Sequence, residues 1–174
     1  MAIWTLDTAH SEIEFKVKHM MISTVKGNFE NFKVDVTTDS EQLENAKVAV
    51  EIDVNSVTTK SEQRDQHLKS EDFFNASQYG QIKFISTEIK KITEEEFEIT
   101  GDLTIKGITK SVTAEVEFGG IGKDPWGNQK AGYTVTGKIN RADFGLSWNA
   151  ALETGGVMVS NDVKFQADLQ FVIA

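Results

Sequence analysis

The sequence predicts an all-β protein, an eight-stranded antiparallel barrel with one short helix between strands. Three observations predict it. Apolar residues recur at every second position almost from end to end, turn-forming residues interrupt that rhythm at hairpin intervals, and a single stretch has helical spacing. The last segment is the plainest case: Val163, Phe165, Ala167, Leu169, Phe171 and Ile173 alternate with Lys164, Gln166, Asp168, Gln170 and Val172. Such a strand has one apolar face, which lines a core or a cavity.

In chain order, Ala2 to Leu6 reads as a short strand and Asp7 to His10 as a turn. Ile13, Phe15 and Val17 share a face of the next strand, which breaks at Met20 to Ile22. Thr24 to Val36 reads as one further strand with Phe32, Val34 and Val36 in phase; Phe29 is out of phase, which predicts a bulge near Gly27. Thr37 to Asn45 is polar and reads as a loop or a short helical turn. Ala46, Val48, Val50, Ile52 and Val54 give the clearest apolar face of the first half. The helix follows: Thr59 and Glu62 have the T-x-x-E spacing of a capping box, and nothing from Lys60 to Lys69 opposes a helix of roughly two to three turns. Strands then begin at Ile82 and Phe84, at Phe97, Ile99, Gly101, Leu103 and Ile105, and at Val112, Ala114, Val116 and Phe118. Glu94 to Glu96 and Gly107 mark the hairpin turns between them. Gly119 to Gly132, with Pro125 and Trp126, reads as a loop; Tyr133, Val135, Gly137 and Ile139 restart the alternation, and Ala142 to Asn161 reads as a second long loop.

About eight such strands close into a lipocalin-like barrel, whose interior is either packed or just wide enough for one small ligand. Strands of ~10 residues tilted by ~40° make a barrel roughly 25 Å tall, which suits an elongated guest. Gly101, Ala114, Gly137 and Ala167 fall on the inward face, where their small size either leaves space or marks barrel coiling.

Composition limits the function. At 174 residues the chain fits one domain spanning 1–174. It has no cysteine, hence no disulfide, thiolate metal site or cysteine nucleophile. A net charge of −9 and a pI near 4.8 argue against a nucleic-acid partner. The first residues show no secretory leader and no run is long enough for a membrane span, so a cytoplasmic location without stable membrane insertion is expected. The sequence does not decide between a monomer and a homodimer.

The three histidines, His10, His19 and His67, lack metal-ligand spacing, and no metal or cofactor is expected. Asp7, His10 and Ser11 lie too close in sequence for a catalytic triad, and there is no nucleophile elbow. GGIGKD runs into Pro125 and Trp126 instead of a helix, and Asp143-Phe144-Gly145 stands without the other kinase segments, so neither motif carries function. The two arginines are more informative. Lys60, Arg64, His67 and Leu68 have helical spacings that put them on one face, which could cap a barrel mouth and hold a polar or anionic head group. The competing reading is a solvated helix in which Arg64 pairs with Asp65, Glu71 or Asp72.

Taken together, WTLDTAHSEIEFKVKHM, VKGNFENFKVDV, SVTTKSEQRDQHLKSEDFFN, IKFIST, GDLTIKGITKSVTAEVEF, the DPWGN loop and RADFGLSWN resemble the YceI-like family from Trp4 to Ile173. That resemblance implies a lipocalin-like barrel with a hydrophobic tunnel for isoprenoids or related long-chain amphiphiles, and no enzymatic activity. Many family members are exported; the absence of a leader here departs from that pattern. Within the matched motifs the head-group candidates are Arg64, His67, Lys60, Asp7, His10, Arg141 and Asp143, unless Arg64 and Arg141 simply pair with Asp7 and Asp143 to pin helix and loop to the barrel. The tunnel candidates are Phe15, Val17, Val34, Val50, Ile52, Phe84, Leu103, Ile105, Val116, Val135, Phe165 and Leu169, with Trp126 and Trp148 at the loop rim. The alternatives to a lipid carrier are an interaction module with a filled core and an enzyme using Asp7, His10 or His67.

Overall fold

In the computed structural model, which describes residues 2–20, 22–38, 43–146, 149 and 159–173, the alternating segments form eleven strands of one antiparallel sheet. They are β1 (Ala2–Leu6), β2 (Glu12–His19), β3 (Ser23–Phe29), β4 (Phe32–Thr38), β5 (Lys47–Asp53), β6 (Val57–Thr58), β7 (Gln81–Lys91), β8 (Glu96–Ile105), β9 (Ile108–Lys123), β10 (Gln129–Asn140) and β11 (Val159–Ile173); helix α1 (Glu62–Lys69) lies between β6 and β7. Eight of these, β1-β4-β5-β7-β8-β9-β10-β11 and back to β1, close the expected barrel. Strands β2, β3 and β6 extend its wall. This is possible because β11 changes partner along its length, meeting β1 at Phe171–Ile173 and β2 between Val159 and Asp168. On its other edge β3 pairs, among the described residues, only with β6, at Asn28 and Phe29, so residues 23–27 have no described strand partner on that side.

The turns follow local chemistry. Lys106 and Gly107 join β8 to β9 with φ of 53° and 76°, the left-handed pair of a two-residue hairpin turn whose twist suits its strands. At the β9–β10 turn Asp124 accepts hydrogen bonds from the backbone N–H groups of Trp126 and Asn128, at 2.9 Å each. The hairpin loop is therefore short, where the sequence suggests a loop from Gly119 to Gly132: β9 runs to Lys123 and β10 starts at Gln129.

Several local expectations change. Thr24 to Val36 is two strands broken at Glu30 and Asn31, which accounts for the shifted phase of Phe29 without a bulge; the β2–β3 register is unbroken from Ile13↔Phe29 to His19↔Ser23. Register shifts fall instead between Ser86 and Glu88, Gly132 and Tyr133, and Val159 and Val163. Strand β11 already begins at Val159, inside the span read as loop. The helix is capped by Ser61, whose hydroxyl accepts from the Arg64 backbone N–H, and not by Thr59. Lys60 thus precedes the helix, in a left-handed conformation with φ of 63°, and does not share its face.

Two apolar clusters occupy the barrel. One gathers Trp4, Leu43, Phe97, Val116, Tyr133, Phe171 and Ile173 where β1 closes the wall, with the Trp4 and Tyr133 rings stacked at 5.7 Å. The other gathers Phe29, Val54, Val57, Phe73, Ile82, Ile105, Phe144 and Leu146 at the opposite end, around the segment that carries α1.

Candidate functional site

Between these clusters the lumen is open, with a cavity of about 590 Å³, within the ~300–1,000 Å³ typical of small-molecule sites. Its wall comes from alternate residues of β2, β3, β4, β5, β7, β8, β9, β10 and β11, together with α1 and the segment after it. Phe15, Val17, Val34, Val50, Ile52, Phe84, Leu103, Ile105, Val135, Phe165 and Leu169 all line it as the parity of their strands requires. Val116 does not: it is 4% exposed inside the first cluster. Trp126 is no wall residue either, being 83% exposed on the β9–β10 turn. Trp148 lies outside the described residues.

The glycines explain how a barrel containing so many phenylalanines keeps a lumen. A Cβ on Gly137 would sit 2.3 Å from Cζ of Phe165, and one on Gly27 would sit 2.3 Å from Cζ of Phe15. Each ring lies across a glycine of the neighbouring strand, its direct cross-strand partner. Gly101 likewise receives the Phe84 ring, with Cζ 2.6 Å from the Cβ position. These glycines therefore provide no empty space of their own. They let the rings lie along the wall instead of projecting into the lumen.

Polar groups collect at one end. Ser61, Gln63, Arg64 and His67 of the α1 segment meet His19 of β2 and Arg141 there, and Glu14 of β2 also reaches the cavity wall. Arg64 donates from Nε to the Thr59 hydroxyl at 2.8 Å and from Nη2 to the Thr59 carbonyl at 2.7 Å. Thr59 in turn donates its hydroxyl proton to Asp65 at 2.6 Å, and its backbone N–H donates to the same oxygen at 2.8 Å. Asp65 thus braces Thr59, and Arg64 makes no ion pair with any described carboxylate. His67 Nε2 lies 2.9 Å from Asp72 Oδ2, and the His67 ring packs edge-on against Phe73 with centroids 5.0 Å apart.

Arg141 is 3% exposed, and its guanidinium donates to the carbonyls of Ser160 at 2.9 Å, of Val159 at 3.2 Å, and of Leu146. Burial pushes its pKa down. Three carbonyl dipoles take the place of a carboxylate, so this arginine ties the turn at Arg141–Phe144 to the start of β11 while touching the cavity. The anticipated pairs with Asp7 and Asp143 do not form. Asp143 is exposed on that turn and does not line the cavity.

Asp7 and His10 lie away from the cavity, where β1 leads into β2. Asp7 Oδ2 accepts from Lys130 Nζ at 2.8 Å and is 2.9 Å from His10 Nδ1, and Lys130 Nζ is 3.9 Å from Asp124. Lys130 first, and His10 after it, hold the Asp7 carboxyl at about 2, below its ordinary 3.8. This is a clasp between chain segments, and the head-group reading of Asp7, His10, Lys60 and Asp143 has no support in their placement.

Some lining residues were available to a sequence reading and others were not. Ile13, Ile139, Val163 and Ala167 share strand parity with neighbours already named. Phe73, Phe74 and Gln63 come from the helical segment, where no alternation marks the inner side. Among the described residues no group of three or more His, Cys, Asp or Glu could hold a metal ion.

A family model for the YceI-like domain matches residues 4–171. A UPF0312 protein of Staphylococcus aureus (strain N315) is 47% identical over 175 residues, covering 100% of this chain and 99% of that relative. A crystal structure of the Campylobacter jejuni YCEI protein superposes with a TM-score of 0.76 at 34% identity, covering 97% of this chain and 96% of the other. A domain from Saccharophagus degradans described as polyisoprenoid-binding has a TM-score of 0.72 at 16% identity, with 99% of each chain covered, a likeness of fold.

Proposed function

This chain belongs to the YceI-like family, and from that premise we infer that it binds a long-chain isoprenoid or a related amphipathic lipid without transforming it. One observation carries the reading: the elongated sheet encloses an open cavity of about 590 Å³ with an apolar wall and polar groups gathered at one end. An apolar chain buried there gains roughly 25 cal/mol for each Å² removed from water, and a few polar groups fix which way it lies. The Saccharophagus degradans domain of the same fold is described as polyisoprenoid-binding, which supports this class of guest. The filled-core alternative has no place for the open lumen. The enzymatic alternative invoked Asp7, His10 or His67, of which the first two stand away from the cavity and the third is held against Asp72 and Phe73.

The direct test is mass spectrometry of an organic extract from protein purified without detergent, paired with fluorescence titration of delipidated protein with a polyprenyl chain. A stoichiometric lipid in the extract and saturable uptake are expected. Protein that carries no lipid and takes none up would overturn the reading.

A further inference from the structure

Strands β2 and β3 form a hairpin whose end meets water with apolar side chains: Ile22 is 84% exposed and Met20 41%. The residues that precede and follow this tip, Val17, His19 and Val25, line the cavity at its polar end. On the outer face of the same hairpin the register places Lys26 directly opposite Lys16, Lys16 opposite Lys164, and Lys164 opposite Lys138. Four lysines thus form a row across four neighbouring strands, with Lys18 one step nearer the tip. In a chain with 27 acidic and 18 basic residues, direct opposition of like charges is unfavourable, and an acid in any of these positions would relieve it. Glu14 approaches Lys16 at 3.7 Å and Asp162 approaches Lys138 at 3.8 Å; Lys18, Lys26 and Lys164 form no ion pair among the described residues.

We propose that this hairpin is a docking face for an anionic lipid surface, with Met20 and Ile22 entering the headgroup boundary and the lysine row lying over the charged headgroups. The dimensions fit. At a rise of ~3.3 Å per residue Lys18 stands about 7 Å from the tip and Lys16 and Lys26 about 13 Å, comparable to the 5–10 Å depth of shallow apolar insertion plus a Debye length. Nucleic acid would use the charge but not the apolar tip, and no aromatic or arginine side chain stands in the row to read bases. Docked in this way, the cavity opens beside its source of long-chain lipid. That use of the face rests on the lipid-binding reading, whereas the face itself rests on the tip and the lysine row.

The experiment is flotation of the full chain with vesicles of phosphatidylcholine alone, and of phosphatidylcholine with about one-third phosphatidylglycerol, at low and high salt. The unmodified chain should float with the anionic vesicles only and be released by salt. Lys16→Gln/Lys164→Gln should weaken that binding about tenfold or more, and Ile22→Ser should weaken it at low salt, where the unmodified chain is bound. Lys47→Gln/Lys90→Gln, an equal charge change on β5 and β7, should leave it intact. Equal thermal melts establish that the variants are folded, and uptake of a polyprenyl chain without vesicles reports the cavity separately, so a failure of either reading is seen alone. No binding to anionic vesicles, equal binding by the Lys16/Lys164 variant, or tighter binding to an oligonucleotide than to the vesicles would overturn the proposal.

Discussion

Arg64 has two donors committed to Thr59 and forms no ion pair among the described residues, a guanidinium at the polar end of an apolar cavity. A charge-assisted hydrogen bond to a guest phosphate is worth ~1.5 to 3 kcal/mol. Arg64→Ala should weaken a phosphorylated isoprenoid by about that amount and leave an uncharged chain of equal length nearly unaffected. Arg64→Lys should recover the effect only in part, because an ammonium lacks the planar fork. Fluorescence titration with the matched pair, beside thermal melts, separates the roles: equal losses for both guests with a lower Tm would reduce Arg64 to a brace for Thr59. The scarcity of arginine made this residue legible in the sequence. Its surroundings were not, because Ser61 and Thr59 both precede the helix with capping chemistry, and only the fold decides that Ser61 caps while Thr59 receives the arginine.

At the scale of strands, the rings laid over glycines govern how wide the lumen is. Gly137→Ala puts a methyl 2.3 Å from Cζ of Phe165, and the ring can only turn inward. Overpacking of this kind costs about 1 to 3 kcal/mol, and the displaced ring also removes cavity volume. Lower Tm and a preference for shorter chains are expected in a titration across chain lengths, and Phe165→Leu in the same background should restore both. Gly122→Ala, with nothing within 4 Å of its Cβ position, is the neutral comparison. Alternation found most strands and their inner faces because a period of two survives wherever one face is buried. It missed the break between β3 and β4, since Glu30 and Asn31 carry no glycine or proline, and it left open whether Gly101 and Gly137 give space or mark coiling, since a lone strand does not show what lies across from it.

For the whole molecule, the two ends of the barrel differ in kind. One is packed with Trp4, Tyr133 and Phe171, with Asp7, Lys130 and His10 clasped where β1 turns into β2; the other carries the polar rim. The pairing of residues 7 and 130 is invisible in a sequence because it depends on how the barrel closes. It has a pH signature. The folded Asp7 carboxyl titrates at about 2 against an ordinary 3.8, so its contribution is full above the unfolded value and is lost as pH falls through the folded one. Asp7→Asn should lower stability by on the order of 1 kcal/mol near neutrality, and the gap from the unmodified protein should close between about pH 4 and pH 2. Thermal melts across that range check it; a gap independent of pH would mean the clasp is not ionic.

The hairpin of β2 and β3 is tied firmly to β11 along one side; on the other, among the described residues, it pairs with β6 only at its base, through two residue pairs and the bonds of Glu30 and Asn31 to Ser56. Such a section opens at a lower free energy than the barrel as a whole. If a lipid occupies the cavity, its residence time is expected to follow local opening of this hairpin. Residence time and melting temperature become separate quantities, and a change at Asn28 or Thr58 can hasten release while the protein melts where it did before.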